Sequence, residues 1–314
     1  MVLTRLLSAI ASSPIGGTGG GVLFINWNPS EIAFSMGNYA IRWYSLCWCI
    51  GLFSVYLLCH HLYRQQKVAE EKFDPLFIYC FLGILVGARL GHCLFYEPQY
   101  YLTSTHGVIE MFLPIKFIGD DWKFIGYEGL ASHGGTLGLI VALWLYVKNT
   151  GLKFRFVLDD IAIVTPICAC AIRMGNLMNS EIIGKTTDVP WAFKFWRSSQ
   201  AMHTLLPDGS PIPRHPGQLY EALCYALFFF IGWWFYKRSR KEGSKVPQVG
   251  TGFFFGLCIT LIFASRFFIE FTKEVQGGVD NGSLPLDMGQ LLSIPFVILG
   301  VYCMIKSKKI KGSN

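Results

Sequence analysis

Seven ionisable side chains stand in or at the ends of apolar stretches of this sequence: Arg89, His92, His133, Arg173, Glu221, Arg266 and Glu270. Their types suit anion binding joined to proton transfer. Arginine grips phosphate or carboxylate through a planar fork of donors. A histidine whose ordinary pKa lies near ~6.5 can take up a proton as a general base. Charge at membrane depth costs about 2.5–3.5 kcal/mol per residue on insertion scales, so such groups are read as functional and mutually paired.

The densest run is RMGNLMNSEIIG. On a helix it places Arg173, Asn176 and Ser180 on one face, with Asn179 and Glu181 following at the exit. Arg173 could bind a phosphate or snorkel to lipid headgroups; two asparagines and a glutamate in the next turns favour the bound anion. EGLASHGGTLG sets His133 before Gly134 and Gly135, where a helix or a ligand can approach the backbone closely. His133 is either a base or a hydrogen-bonded link between helices. RHPGQLYEA opens a stretch with Pro216 at a helix start and Gln218, Tyr220 and Glu221 in the next turn. SRFFIEFTKE puts Arg266 and Glu270 one turn apart, as an intrahelical ion pair or as part of an anion site. Gly83, Gly87 and Gly91 form a packing face, and Arg89 and His92 on the other faces read at least as well as structural groups.

The elements that must hold these residues are membrane helices. The chain has 314 residues, 52% of them hydrophobic, with a mean hydropathy of +0.41. At about 20 residues per crossing, seven spans fall near 41–62, 75–96, 127–147, 157–178, 215–236, 251–271 and 287–305. The expected fold is an all-α integral membrane protein: an outer N-terminal segment (1–40), a seven-helix domain (41–306) with an outer arm (97–126) and an outer cap (179–214), and a basic cytoplasmic tail (307–314). Lys and Arg concentrate in short loops such as those around Arg64, Lys148, Lys237 to Lys245 and Lys306 to Lys311, which predicts these as cytoplasmic and the N-terminus outside. The net charge of +7 is therefore a topological bias, with no nucleic acid implied. That threading puts the polar residues toward the outer leaflet, with Tyr44 and its neighbour Arg42 opening the first span at the same level. Asp159 and Asp160 are the exceptions, expected as solvated residues at a helix start.

Other features carry less chemistry. The ten cysteines lie in apolar spans without metal-ligand or disulfide spacing and read as small buried hydrophobes. Residues 1–21 are too weak a pattern for a signal peptide and end in a glycine-rich linker. Trp191, Phe193, Phe195 and Trp196 suggest an interfacial aromatic cap.

HGG, then RMGNLMNSEIIG, RHPGQLYEA and RFFIEF, in this order across seven spans, resembles the prolipoprotein diacylglyceryl transferase family over roughly residues 22–306. Departures from the common family pattern occur at Ile172, Leu177, Gly217 and Ile262. The resemblance implies transfer of the diacylglyceryl group from phosphatidylglycerol to the thiol of the lipobox cysteine in a prolipoprotein signal peptide, forming a thioether and releasing glycerol phosphate at the bacterial inner membrane. It implies Arg173 and Arg266 as the essential pair facing the lipid phosphate, with Tyr44, His133, Asn176, Glu181, Gly184 and Glu270 also in the site. Tyr220, Glu221, Gly134 and Gly135 would support it. The substrate brings its own nucleophile, so neither a metal nor another cofactor is required. A free thiol has a pKa near ~8.5, so His133 or the field of an arginine such as Arg266 must favour the thiolate. The rival reading is an anion or phospholipid transporter, which would need polar residues along the inner halves of the spans.

Overall fold

The computed structural model describes residues 24–37, 39–119, 121–124, 129–274 and 286–311. The glycine-rich N-terminal linker expected from the sequence lies outside them. Seven long helices, among the described residues, take up the seven apolar stretches: α1 (Trp43–Gln65), α2 (Glu70–Phe95), α5 (Ser132–Thr150), α6 (Phe154–Met178), α8 (Gly217–Ser239), α9 (Phe253–Ile269) and α10 (Met288–Lys311). Between them stand the short helices α3 (Pro98–Leu102), α4 (Thr105–Phe112) and α7 (Ser199–Met202). Five of the long helices are apolar and long enough to cross a membrane; the other two are the helices that carry His133 and Arg173. The protein is thus mostly helical, with the character of a multi-pass membrane protein.

Outside the helices, six short strands among the described residues form three two-stranded sheets: β1 (Ile25–Trp27) with β6 (Phe193–Phe195), β2 (Ile32–Met36) with β3 (Tyr39–Arg42), and β4 (Ile115–Ile118) with β5 (Asp121–Phe124). Segments outside the helices must satisfy their backbone groups, and pairing two short extended pieces is the cheapest way to do so. The β1–β6 pair is parallel, and strand alternation turns Phe193 and Phe195 inward against Leu177, Ile183 and Ala201. Of the four cap aromatics, Trp191 and Trp196 are exposed while the two phenylalanines are core.

The chain forms two compact units, one made of the described residues up to Cys59 and from Leu158 onward, the other of His60–Val157. In the second unit, α2 packs on α5 through facing glycines: a Cβ on Gly91 would stand 2.7 Å from Cα of Gly134, and one on Gly87 would stand 2.7 Å from Cα of Gly138. Gly134 is therefore a packing residue, as the small-residue spacing suggested. Buried Arg89 donates to the carbonyls of Glu110 (2.6 Å) and Met111 (3.3 Å) and lies over the Tyr101 ring, tying the arm of α3 and α4 to α2. His92 stacks on Tyr96 and faces Glu97 at 3.7 Å. Both are structural.

In the first unit, α9 and α10 meet where a Cβ on Gly256 would stand 2.6 Å from the Gly300 carbonyl. Asp159 and Asp160 are fully buried, against the expectation of solvated residues. Asp159 accepts from the N–H groups of Gly250 (2.8 Å), Gly252 (2.9 Å) and Phe255 (2.8 Å), so a carboxylate on α6 caps the start of α9. The orphan donors at a helix N-terminus and its dipole both favour that anion.

A β-branched side chain on the glycine seam has nowhere to go. Gly87→Val is expected to lower stability by about 1–3 kcal/mol or more, read as a reduced melting temperature of the detergent-purified protein. An unchanged melt would refute the close packing.

Candidate active site

Arg173 sits one turn before the end of α6, and the chain beyond reverses sharply. Ser180 (φ 56°) and Ile182 (φ 57°) both take left-handed backbone conformations. For isoleucine this is a genuine outlier, and strain of about 1–3 kcal/mol per residue persists only where surroundings enforce it. The two kinks turn Glu181 back toward the helix end. Its carboxylate accepts from Asn176 Nδ2 (3.1 Å) and Asn179 Nδ2 (3.0 Å), and Asn176 Oδ1 accepts in turn from Arg173 Nη1 (3.1 Å). Because the helix stops at Met178, Ser180 leaves the helical face it was expected to share with Arg173 and Asn176.

The other side of Arg173 meets α8. Glu221, with 1% of its side chain exposed, takes Arg173 Nε on one oxygen at 2.5 Å and Lys273 Nζ on the other at 2.6 Å. Lys273 also lies 3.6 Å from Glu270. Of the two readings of SRFFIEFTKE, the intrahelical ion pair is not formed: Glu270 opens a 3-10 turn (Glu270–Thr272) at the end of α9, and its carboxylate lies near Lys273 rather than Arg266. Arg266 is half-buried and has no hydrogen-bond or ion-pair partner among the described residues. Buried Tyr225, one turn after Glu221 on α8, lies within the electrostatic influence of Arg173 and, more weakly, of Arg266.

Three backbone hydrogen bonds fasten these elements. Gly184 N–H donates to His215 O (2.9 Å), Lys185 N–H to Thr272 O (2.8 Å), and His215 N–H to Lys185 O (3.0 Å). Gly184 is required by the closeness of this joint, since a Cβ there would stand 2.6 Å from both the His215 and Thr272 carbonyl oxygens. Gln218 and Arg214 reinforce it, the first donating to the Glu181 carbonyl and the second to the Gly184 carbonyl (3.2 Å) and Glu274. Tyr220 accepts from Trp191 Nε1 (2.8 Å) and meets His215 Nδ1 (3.0 Å). Tyr44 on α1 is half-buried against Gly175, the residue immediately before Arg173's partner Asn176.

Of the expected site residues, Arg173, Asn176, Glu181, Gly184, Glu221, Glu270, Tyr220, Tyr44 and Arg266 all belong to the first unit, and the first six are joined by the contacts above. His133 belongs to the second unit, exposed at an open cavity of about 370 Å³ that Gly91, Phe95, Tyr96, Ala131, Gly134 and Leu137 also line. Gly135 lies buried against Ala88 and Ile84 of α2. Sequence reasoning missed Lys273 and Tyr225. The spacing of Glu270 and Lys273, three apart, was a usable signal for the first; Tyr225, one turn after Glu221 in an apolar helix, offered none beyond that spacing.

Known proteins resemble this chain closely. The family model described as prolipoprotein diacylglyceryl transferase matches residues 31–306. A Bacteroides fragilis protein named phosphatidylglycerol–prolipoprotein diacylglyceryl transferase is 53% identical over 294 residues, 92% of this chain and 99% of the relative. Proteins of the same name from Porphyromonas gingivalis (40% identical, covering 91% of this chain and 95% of the relative) and Tolumonas auensis (38%, covering 91% and 98%) are also similar.

Filling the backbone joint tests its role directly. Gly184→Ala is expected to cost about 1–3 kcal/mol or more, as for other overpacked sites, and to lower the melting temperature measurably. A melt equal to wild type would mean that the loop retreats and that closeness is not why glycine stands there.

Proposed function

The chain belongs to the prolipoprotein diacylglyceryl transferase family, and from that premise we propose how its residues carry out the reaction. The protein is a transferase that moves the diacylglyceryl group of phosphatidylglycerol to a prolipoprotein cysteine, the first step of lipoprotein maturation. The observation that carries the residue-level reading is that Arg173 is held in a built network of Glu221, Asn176 and Glu181 while Arg266 stands without a protein counter-ion among the described residues.

The lipid phosphate is a diester with one negative charge. The cysteine sulfur attacks the glycerol carbon of the diacylglyceryl group; a carbon–sulfur bond forms, the carbon–oxygen bond breaks, and the electron pair leaves with glycerol phosphate, now a monoester with a second negative charge developing. Arg173 and Arg266 stabilise that growing charge, and donors fixed before the reaction, in surroundings poor in water, do so more strongly than water would. Asn176 and Glu181 hold Arg173 in position, and Tyr44 packs beside them. An arginine in a protein stays protonated. Arg266 therefore favours the thiolate only through its field, while the thiol proton goes to a base, for which His133 has the right chemistry.

The fold proposed around this site has seven crossings. The helices of His133 and Arg173, 19 and 25 residues long, both fall within the range of about 17–25 residues that crosses a hydrocarbon layer, and join the five apolar helices as spans. The basic short loops and the Lys-rich end of α10 face the cytoplasm and the N-terminus lies outside. The arm 97–126, with exposed Phe112, Trp122 and Phe124, lies at the outer surface, and the cap 179–214 covers the mouth where headgroup and exported signal peptide meet.

The assay is direct: purified protein, phosphatidylglycerol vesicles and a lipobox peptide, with glycerol phosphate release as the readout. Arg173→Ala and Arg266→Ala are each expected to lower the rate about 100-fold or more, by analogy with loss of a preorganised donor. Arg266→Lys, which keeps charge but loses the fork, should remain at least about tenfold below wild type. Wild-type rates in both alanine variants, or no release by the wild-type protein, would overturn the reading.

A further inference from the structure

Lys273 is buried within the arginine–carboxylate network without reaching the substrate's place itself. It is a lysine with 5% of its side chain exposed, set between two carboxylates, Glu221 at 2.6 Å and Glu270 at 3.6 Å. The backbone places it there. Lys273 bridges to Gly184 across the joint, and the 3-10 turn ending at Thr272 aims its ammonium at the oxygen of Glu221 opposite the one that holds Arg173.

We propose that Lys273 is a positioning residue for phosphate recognition, sharing the charge of Glu221 so that Arg173 is oriented by that carboxylate without being neutralised by it. A lone buried Arg–Glu pair has no net charge to offer an incoming anion. Lys273 occupies one oxygen of Glu221, so Arg173 meets that carboxylate through Nε alone, and the fixed ammonium keeps Glu221 from drawing the whole Arg173 guanidinium onto itself as a bidentate pair. The arrangement uses Nε and one bond of Nη1 of Arg173 for orientation. Its remaining N–H groups are then free to turn to Tyr225 and the lipid phosphate. This rests on the transferase reading above, with a phosphodiester headgroup as the ligand.

A double-mutant cycle tests it, with steady-state kinetics of the full-length enzyme against phosphatidylglycerol in vesicles. Lys273→Met is expected to raise the KM for phosphatidylglycerol at least tenfold with a much smaller change in kcat, and Lys273→Arg to restore KM to within about threefold. In a Glu221→Gln background, where there is no charge to share, the rise caused by Lys273→Met should shrink at least fivefold. An equal rise in both backgrounds, a loss confined to kcat, or a wild-type KM for Lys273→Met would each overturn the proposal. If Lys273→Met does not fold, Lys273→Arg and the charge-neutral double variant Glu221→Gln, Lys273→Met decide: the proposal requires near-normal KM in the first and a KM close to that of Glu221→Gln in the second. A purely structural lysine would move the melting temperature and leave KM alone. Absence of glycerol phosphate from the wild-type enzyme is a separate result, and strikes the transferase reading itself.

Discussion

The architecture of the first unit turns on one carboxylate. Glu221 is sealed from solvent between a guanidinium and an ammonium. Burying an ion carries a penalty of several kcal/mol, repaid only when geometry is good and the remaining lone pairs are used; losing one partner of such a group is expected to be strongly destabilising, typically by about 3–5 kcal/mol. Here the partners come from three separate parts of the chain, so α6, α8 and the turn after α9 have to be in register before the charge is satisfied. The joint of Gly184, Lys185, His215 and Thr272 supplies that register through backbone hydrogen bonds, which cannot drift as side chains do. The left-handed residues at 180 and 182 stand between two fixed ends, Ser180 and Glu181 bonded back to Leu177 and Asn176 of α6 and Gly184 held in the joint.

Much of this was legible beforehand, for identifiable reasons. The apolar runs located all seven long helices with ends at most six residues out, because length and hydropathy are local properties. The RMGNLMNSEIIG run yielded its network for the same reason: Arg173, Asn176, Asn179 and Glu181 are close in sequence and must be close in space. Pairing across distance was not legible. The spacing of Arg266 and Glu270 left an ion pair and an anion site both open, and it did not show that Glu270 lies near Lys273 at the tightening of the chain. Asp159 and Asp160 looked solvated because they begin a helix; the cap that Asp159 provides belongs to a helix that starts more than ninety residues later. The β1–β6 pair escaped notice because neither three-residue piece has a pattern of its own.

The buried polar groups at the other ends of these helices bear on what kind of membrane protein this is. A transporter for anions or lipid headgroups needs polar side chains along its path that are available to the cargo. In the first unit Asp159 is saturated by three backbone donors, while Ser239 and Ser307 spend their hydroxyls on the carbonyls of Tyr236 and Met304 within their own helices. These groups finish local structure. Arg266 contrasts with them: a half-buried guanidinium without a counter-ion among the described residues is costly in a membrane setting. Such a charge is understandable where an anion completes the site from outside the protein. One unsatisfied cation beside a fully built one describes a terminal binding site better than a passage, which is what a group transfer to an incoming thiol requires.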